Sequence, residues 1–256
     1  MRAILLCAGF ATRMYPLTEN FPKPLLEIAG KPVLDYLIDQ LLNLPKLEEI
    51  HVVTNARFFP DFEKWQNTWL DKFEPSSISM FLHNDGSTHN DNRLGAVADL
   101  AFVLEKLDGQ KPTLVSAGDN IFRFSLLPVW QKFIADGKNY IVALSETNLE
   151  NLRRTGVLEI GEHDHVMKLH EKPQNPPSSW ACPALYFLQP SALQYISAYL
   201  AQPDAKDAPG HFIAYLVLRE KVYAAKNNGM RFDIGSIASY HEANAVFQKE
   251  PVIVDM

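Results

Sequence analysis

The sequence has few cysteines and no long hydrophobic run, and both deficits narrow the class of protein. The only cysteines in the 256 residues, Cys7 and Cys182, are far apart in the chain, which argues against a disulfide scaffold and fits a reducing compartment. No segment approaches the roughly 20 apolar residues of a membrane-spanning helix. The apolar run after Arg2 is only about half as long as a signal-peptide core and leads into a glycine turn. We therefore expect a cytoplasmic protein with no membrane partner.

The sequence also lacks an excess of positive charge and the two common phosphate-binding loops. Its formal net charge is −6, which argues against a general nucleic-acid-binding protein because such proteins carry a basic face. Neither G-x-x-x-x-G-K-S/T nor G-x-G-x-x-G occurs, and the absence of the second disfavours a dinucleotide-binding enzyme. A small anionic ligand stays compatible with the composition, because a few local cations are enough to bind it.

The first thirty residues contain the most informative stretch. Residues 2–7 form an apolar run that is typical of a buried strand, and Gly9 ends it. The small residues at 8–12 follow, then Arg13, and ten residues later Lys23 lies between two prolines. Small residues let a ligand approach the backbone, where exposed N–H groups bind anions. Arginine binds phosphate in a bidentate manner and lysine acts as a point charge, so this stretch predicts a polyphosphate site.

Strand and helix patterns alternate over the first 145 residues. Predicted strands cover 50–54, 77–82, 111–117 and 139–145 in addition to the first, and predicted helices cover 32–43, 57–73, 95–107 and 125–136. The aromatic residues of 57–73 are expected to pack in the core. This alternation is the pattern of an α/β protein with a Rossmann-like, mostly parallel sheet and helices on both faces.

The second half of the sequence is richer in strand patterns. A hairpin is predicted over 156–160 and 166–170, with further strands at 181–187 and 221–225 and helices at 190–201 and 211–218. We therefore expect one domain over 1–256, composed of an α/β half, 1–145, and a smaller β-rich half, 146–256.

Two aspartates, Asp119 and Asp233, are candidate ligands. Asp119 comes directly after strand 111–117, and open α/β sheets bind ligands outside the carboxyl ends of their strands. Asp233 follows an aromatic residue and precedes Ser236, which can cap the next helix. From the residues alone, a metal ligand and a simple turn residue are both open for each aspartate. Asn55, at the end of strand 50–54, is open as a turn residue or as part of the site.

The motifs resemble those of the sugar-1-phosphate nucleotidyltransferases, in the short form related to glucose-1-phosphate thymidylyl- and uridylyltransferases. Residues 7–18 read CAGFATRMYPLT, where the family has two small residues, then Gly-x-Gly-Thr-Arg-x-x-Pro-x-Thr. Pro-Lys-Pro and Gly-Lys-Pro follow at 22–24 and 30–32. Ala11 and Ala184 stand where the family usually has glycine. At position 11, alanine resists the positive φ that glycine permits, and at position 184 the added methyl group is expected to narrow the sugar pocket.

The resemblance implies a role for several residues and for a cofactor. Magnesium prefers one or two carboxylates together with substrate phosphates, and the family places two aspartates at this ion. The implied roles are catalytic for Arg13 and Lys23, nucleotide binding for Leu6, Ala8, Gly9 and Gly95, sugar-phosphate binding for Gly156, Glu171 and Lys172, and Mg²⁺ binding for Asp119 and Asp233. The resemblance thus implies that 1–145 is the nucleotide-binding half and 146–256 the sugar-phosphate-binding half.

The implied reaction is nucleotidyl transfer from a nucleoside triphosphate to a sugar 1-phosphate, which gives a nucleotide sugar and pyrophosphate. These two substrates are the expected partners, without nucleic acid, and a homo-oligomer is left open. The expected short form has no appended repeat domain. Two alternatives stay open: a cytidylyltransferase for phosphocholine or another non-sugar phosphate, and a catalytically inactive nucleotide-sugar-binding regulatory module. Gly156 and the Glu171-Lys172-Pro173 run favour the sugar.

Overall fold

A computed structural model describes residues 1–73, 77–107, 110–203, 205 and 207–249. These residues form two compact units, each drawn from separate parts of the chain. The first unit is drawn from Met1–Leu94, Ala117–Leu127 and Gly229–Met256, and the second from Gly95–Ser116 and Pro128–Asn228. The expected single domain with halves that meet at residue 145 stays a prediction.

The secondary structure alternates between strands and helices, as the sequence pattern predicts. The strands are β1 Arg2–Leu6, β2 Glu27–Ile28, β3 Lys31–Pro32, β4 Glu49–Thr54, β5 Ser79–Asn84, β6 Thr113–Ala117, β7 Asn120–Arg123, β8 Asn139–Ser145, β9 Gly156–Ile160, β10 Val166–Glu171, β11 Trp180–Cys182, β12 Leu185–Leu188, β13 Val222–Asn227 and β14 Met230–Asp233. The helices are α1 Val33–Leu41, α2 Phe59–Asn67, α3 Leu70–Phe73, α4 Ala96–Glu105, α5 Leu127–Asp136, α6 Leu149–Leu152, α7 Pro190–Leu193, α8 Tyr195–Leu200, α9 Pro209–Leu216 and α10 Ile237–Lys249.

The first unit contains a parallel sheet and a small antiparallel pair. Strand β4 pairs in parallel with β1 on one side and with β5 on the other. Every residue of β1 is buried, as expected for a short continuous apolar run in a parallel sheet. The antiparallel pair of β7 and β14 sets Asn120 opposite Asp233. This pair was not predicted, and it matters because it brings two distant segments of the chain together.

The second unit has mostly antiparallel pairs. Strand β12 is antiparallel to both β6 and β8, and β11 is antiparallel to both β8 and β9. Strand β13 runs parallel to β8. The predicted hairpin is present as the antiparallel pair β9–β10. The predicted strand over 181–187 is instead divided into β11 and β12, with Pro183 between them, because proline has no N–H to donate to a strand neighbour.

The predicted helix over 57–73 is also divided, into α2 and α3. The Thr68 hydroxyl donates to the Trp65 carbonyl at 2.7 Å, and such side-chain bonds compete with the helical backbone pattern. The aromatic side chains are core residues, as expected: Trp65 and Trp69 are buried. Their indole N–H groups donate to Asp35 at 2.6 and 3.1 Å. Burial nevertheless raises the pKa of the Asp35 carboxyl, because it outweighs these two hydrogen bonds.

Over the described ranges, no helix is long and apolar enough to cross a membrane.

Candidate active site

The loop after β1 is hydrogen-bonded to the buried side-chain amide of Asn55. The side chain of Asn55, at the end of β4, is fully buried. It donates to the Ala8 carbonyl at 2.9 Å and accepts from the Phe58 N–H at 3.0 Å. The adjoining Gly9 is exposed, and an added Cβ there would meet no atom within 4 Å. Asn55 is therefore a support for the loop, and the backbone at Gly9 is open to a ligand.

Ala11 takes the conformation that the sequence analysis expected alanine to resist. Its φ and ψ are 48° and 40°, in the left-handed region. The Ala11 carbonyl accepts from the Met14 N–H at 2.9 Å and from the Thr18 hydroxyl at 2.8 Å. These bonds fix the short turn Thr12–Met14, from which the exposed Arg13 projects.

Lys23 and Asp119, 96 residues apart in the chain, form an ion pair. The ammonium group binds Asp119 Oδ2, and the Asn120 amide donates to Asp119 Oδ1 at 2.8 Å. Burial opposes ionisation of Asp119, but the charge and hydrogen bond of Lys23, with a contribution from Arg231, outweigh it and hold the pKa of that carboxyl below its ordinary value. Asp119 is therefore a stable carboxylate with both oxygens engaged.

Asp233 is brought beside this pair by the antiparallel strands β7 and β14. The N–H of Ile234 donates to the Asp119 carbonyl at 3.0 Å, and Arg231 lies 3.2 Å from Asp233 Oδ2. Burial and the negative charge of Asp119 raise the pKa of the Asp233 carboxyl above its ordinary value, against the opposing effect of Arg231. The structure thus places together the two aspartates for which the resemblance implied a metal role.

Sequence reasoning missed Arg231. It lies two residues before Asp233 on the same strand, and residues i and i+2 of a strand point to the same side. That spacing was the available signal, and it would have identified Arg231 as a cation next to the predicted acidic pair.

The acidic pair fits a magnesium ion. Two neighbouring carboxylates repel each other, and a cation bound between them reduces that repulsion. Magnesium uses one or two carboxylates together with phosphate oxygens. The buried Asn120 Oδ1 has no hydrogen-bond partner among the described residues, so a further oxygen is left over at this place. No group of three or more His, Cys, Asp and Glu side chains that could hold a metal occurs in the described parts of the chain. The donor set therefore matches an ion that takes few protein ligands.

A hydrophobic cluster in the first unit includes residues that adjoin three of the predicted site residues, Arg13, Asp119 and Asp233. Met14 follows Arg13, Ile121 lies two residues after Asp119, and Ile234 follows Asp233 in the sequence. The cluster consists of Met14, Ile28, Val33, Ile121, Ile234, Ala243 and Phe247. All seven side chains are buried together. Because buried side chains are closely packed, a shift of one of these chain segments would disturb the packing of the others.

In the second unit, Gly95 begins helix α4, as predicted. Its φ is +98°, which an L side chain rarely adopts. The N–H of Ala96 donates to Asp207 Oδ1 at 2.8 Å, so the first turn of the helix has an acidic partner. The nucleotide-binding role of Gly95 stays a prediction.

Gly156, Glu171 and Lys172 lie next to one another in the second unit. Gly156 on β9 is directly opposite Glu171 on β10. The Lys172 side chain is 56% exposed, whereas that of Glu171 is 11% exposed. Lys172 Nζ lies 3.8 Å from Glu171 Oε1, yet burial raises the pKa of the Glu171 carboxyl. An accessible cation beside a sheltered carboxylate is suited to a ligand that has both a phosphate and hydroxyl groups.

The model of the nucleotidyl transferase family matches residues 2–250. The chain therefore belongs to that family, and the family expected from the motifs is confirmed.

Several curated relatives are sugar-phosphate enzymes. The chain is 27% identical over 253 residues to the UTP–glucose-1-phosphate uridylyltransferase AglF of Haloferax volcanii, over 98% of each chain. It is 26% identical over 252 residues to the glucose-1-phosphate thymidylyltransferase of Neisseria meningitidis, over 97% of this chain and 83% of that protein. It is 29% identical over 255 residues to the bifunctional protein GlmU of Methanococcus vannielii, over 97% of this chain and 55% of that protein. The chain thus spans about half the length of the GlmU relatives it matches.

Solved structures share the fold. A structure of UDP-glucose pyrophosphorylase complexed with UDP-glucose aligns with a TM-score of 0.80 at 19% identity, over 97% of this chain and 98% of that one. UDP-glucose pyrophosphorylase from Acinetobacter baumanii aligns with a TM-score of 0.77 at 17% identity, over 98% of this chain and 94% of that one. The predicted α/β fold is confirmed.

Proposed function

We propose that the protein transfers a nucleotidyl group from a nucleoside triphosphate to a sugar 1-phosphate, giving a nucleotide sugar and pyrophosphate. The main support is the grouping of Lys23, Asp119 and Asp233 in the first unit. The positive charge of Arg13 also acts to lower the pKa of Asp233. Family membership agrees with this reading, as do two curated relatives, a glucose-1-phosphate uridylyltransferase and a glucose-1-phosphate thymidylyltransferase.

In the proposed reaction, an oxygen of the sugar phosphate attacks the α-phosphorus of the triphosphate. The bond from the α-phosphorus to the bridging oxygen breaks, and pyrophosphate leaves with that bonding electron pair. The attacking oxygen is already anionic, so neither a protein nucleophile nor a general base is required. The protein contributes alignment of the reactants and neutralisation of charge.

Residues of the first unit act on the triphosphate. The backbone at Leu6, Ala8 and Gly9 binds the nucleotide, supported by the open space at Gly9. Arg13 holds the triphosphate and stabilises the leaving pyrophosphate, since guanidinium binds phosphate in a bidentate manner. Lys23 neutralises the α-phosphate as charge builds there. When the nucleotide binds, the Lys23 ammonium leaves Asp119 and pairs with the phosphate.

Residues of the second unit bind the remaining parts of the two substrates. Lys172 positions the attacking phosphate, and its exposed ammonium supports this role. Glu171 and the Gly156 backbone contact sugar hydroxyls. Gly95 contacts the nucleobase; its φ of +98° disfavours any side chain, and an added Cβ would lie 2.7 Å from Asp207 Oδ1.

Magnesium is the proposed cofactor, held by Asp119 and Asp233. When bound, the ion supplies charge neutralisation at the phosphate oxygens. The mutual repulsion of the two carboxylates and the unpartnered oxygen of Asn120 support this assignment. We also propose a cytoplasmic location, which the low number of cysteines supports, since Cys7 and Cys182 are the two in the sequence and both are buried.

The test is pyrophosphate release, with magnesium, from a grid of nucleoside triphosphates against sugar 1-phosphates and phosphocholine. We expect release that requires one triphosphate and one sugar 1-phosphate, that chelation by EDTA abolishes, and that Asp119→Asn loses. The matched control is Asp39→Asn, which removes another carboxylate that pairs with a lysine, Lys31, and should leave release unchanged. Release with phosphocholine alone would establish the cytidylyltransferase instead. Nucleotide binding without release from any acceptor would point to the regulatory module.

A further inference from the structure

The second residue of helix α9, Gly210, is in direct contact with the Glu171 side chain. An added Cβ at Gly210 would lie 1.8 Å from Glu171 Oε2 and 2.9 Å from its carboxyl carbon. Real Cβ atoms essentially never approach another heavy atom so closely. The Glu171 carboxylate therefore occupies the space that any other amino acid at 210 would fill.

The backbone of Gly210 gives no reason for a glycine. Gly210 is not among the glycines with positive φ, and it is the second residue of an α-helix. Alanine is favoured over glycine by about 1 kcal/mol inside a helix. The close approach of Glu171 is thus the property of this position that requires glycine.

A second glycine lies near the same carboxylate. A Cβ at Gly156 would lie 3.4 Å from Glu171 Oε2 and 3.3 Å from the Cys182 carbonyl oxygen. The two glycines come from different elements, β9 and α9, so the carboxylate is seated between a strand and the first turn of a helix. The residue before α9, Ala208, has no side-chain oxygen to cap that turn, and a negative charge is favourable at a helix N-terminus.

We infer that Gly210 is a positioning residue for the sugar 1-phosphate: by omitting a side chain, it lets Glu171 lie against the first turn of α9, where the carboxylate can meet the sugar hydroxyls. This inference rests on the proposed function. It adds a residue, 39 positions after Glu171 in the sequence, that no motif identified.

Gly210→Ala separates this role from a structural one. The colliding atom is the far end of a flexible side chain, so the new methyl group displaces the carboxylate and not the backbone. We expect the KM for the sugar 1-phosphate to rise about tenfold or more, as for loss of a hydrogen bond to a charged group. The KM for the nucleoside triphosphate should stay within about twofold, and the melting temperature should change little. If Gly210 had only a structural role, the substitution would instead lower the melting temperature without affecting one KM more than the other.

The matched control is Gly161→Ala, at the turn of the β9–β10 hairpin. An added Cβ there also meets a flexible side chain, Met167, at 3.0 Å, but it lies outside the predicted site residues. Its kinetic constants should equal those of the wild type.

A double-mutant cycle tests whether Gly210 acts through Glu171. In a Glu171→Ala background no carboxylate is left to displace, so Gly210→Ala should then change the KM for the sugar 1-phosphate by less than about twofold. In a Glu171→Asp background the shorter side chain should restore part of the loss.

The outcomes distinguish the inference from the proposed function. If the wild type turns over a sugar 1-phosphate and Gly210→Ala has the same KM, or has an equal effect with Glu171→Ala present, the inference is wrong and the proposed function stands. If the wild type neither binds nor turns over any sugar 1-phosphate, both are wrong.

Discussion

Replacing Ala11 by glycine should stabilise the protein, although it removes a methyl group. Ala11 has φ 48° and ψ 40°, and the left-handed region costs an L-residue roughly 1–2 kcal/mol. Glycine adopts this region without steric cost, but it loses more backbone entropy on folding, which offsets about 0.5–1 kcal/mol. Taken at the midpoints of these two ranges, the net gain for Ala11→Gly is about 0.7 kcal/mol. For a chain of this size, that corresponds to a rise in melting temperature of roughly 1–4 °C.

Thermal and urea unfolding measure this effect, with a second alanine as the matched control. Ala245 is exposed in the middle of α10, where glycine lowers the free energy of unfolding by about 1 kcal/mol relative to alanine. The same substitution should thus have opposite signs at the two positions. If Ala11→Gly destabilises the protein as much as Ala245→Gly does, alanine carries no left-handed strain at position 11 and the argument is wrong, since the hydrogen bonds to the residue-11 carbonyl are the same in both variants.

Three further outcomes are expected. Lys23→Ala and Asp119→Asn should each lower the rate of pyrophosphate release at least about a hundredfold with an unchanged circular-dichroism spectrum, and normal turnover by either variant would remove the assigned role. Asn55→Ala should lower the free energy of unfolding by about 2–4 kcal/mol, because it leaves two buried backbone groups unpaired; a loss below about 0.5 kcal/mol in urea unfolding would show that water replaces the amide. Asp35 has a raised pKa in the folded state, so the stability it contributes is present below its unfolded value of about 3.9 and is lost as the pH rises through the folded value. Asp35→Asn should therefore be more stable than the wild type at pH 7, and this difference should shrink as the pH approaches about 4; a difference independent of pH would contradict the burial argument.

The sequence predicted the elements well because its strands and helices carry clear periodic patterns. It failed where a single local interaction decides the outcome. Pro183 ends a strand within an otherwise continuous apolar run, and the Thr68 hydroxyl interrupts a helix within a continuous aromatic pattern. Neither event changes the average pattern over a window of residues, so periodicity alone does not predict it.

The site residues also fall into two groups: those that lie in sequence motifs and those that do not. Arg13, Lys23 and Asp119 could be proposed from the sequence because they belong to contiguous motifs that resemble those of a family, and their roles stay predictions. Arg231 and Gly210 carry no motif, and their importance depends on which residue lies beside them after folding. For Gly210 that neighbour, Glu171, comes from another part of the sequence, and a one-dimensional pattern has no means of indicating the contact.

The division of the chain between the two units has a consequence for how this protein can be altered by recombination. The second unit consists of two excursions, Gly95–Ser116 and Pro128–Asn228, that leave the first unit and return to it. Lys23, Asp119 and Asp233 lie in the three successive segments of the first unit, so no single crossover point yields a fragment that carries all three together and omits the second unit. Exchange of the whole second unit between homologues therefore requires two matched insertions, with Asp119 retained in the short segment Ala117–Leu127 that separates them, whereas the proposed acceptor-binding residues all lie in Pro128–Asn228 and can be exchanged with one.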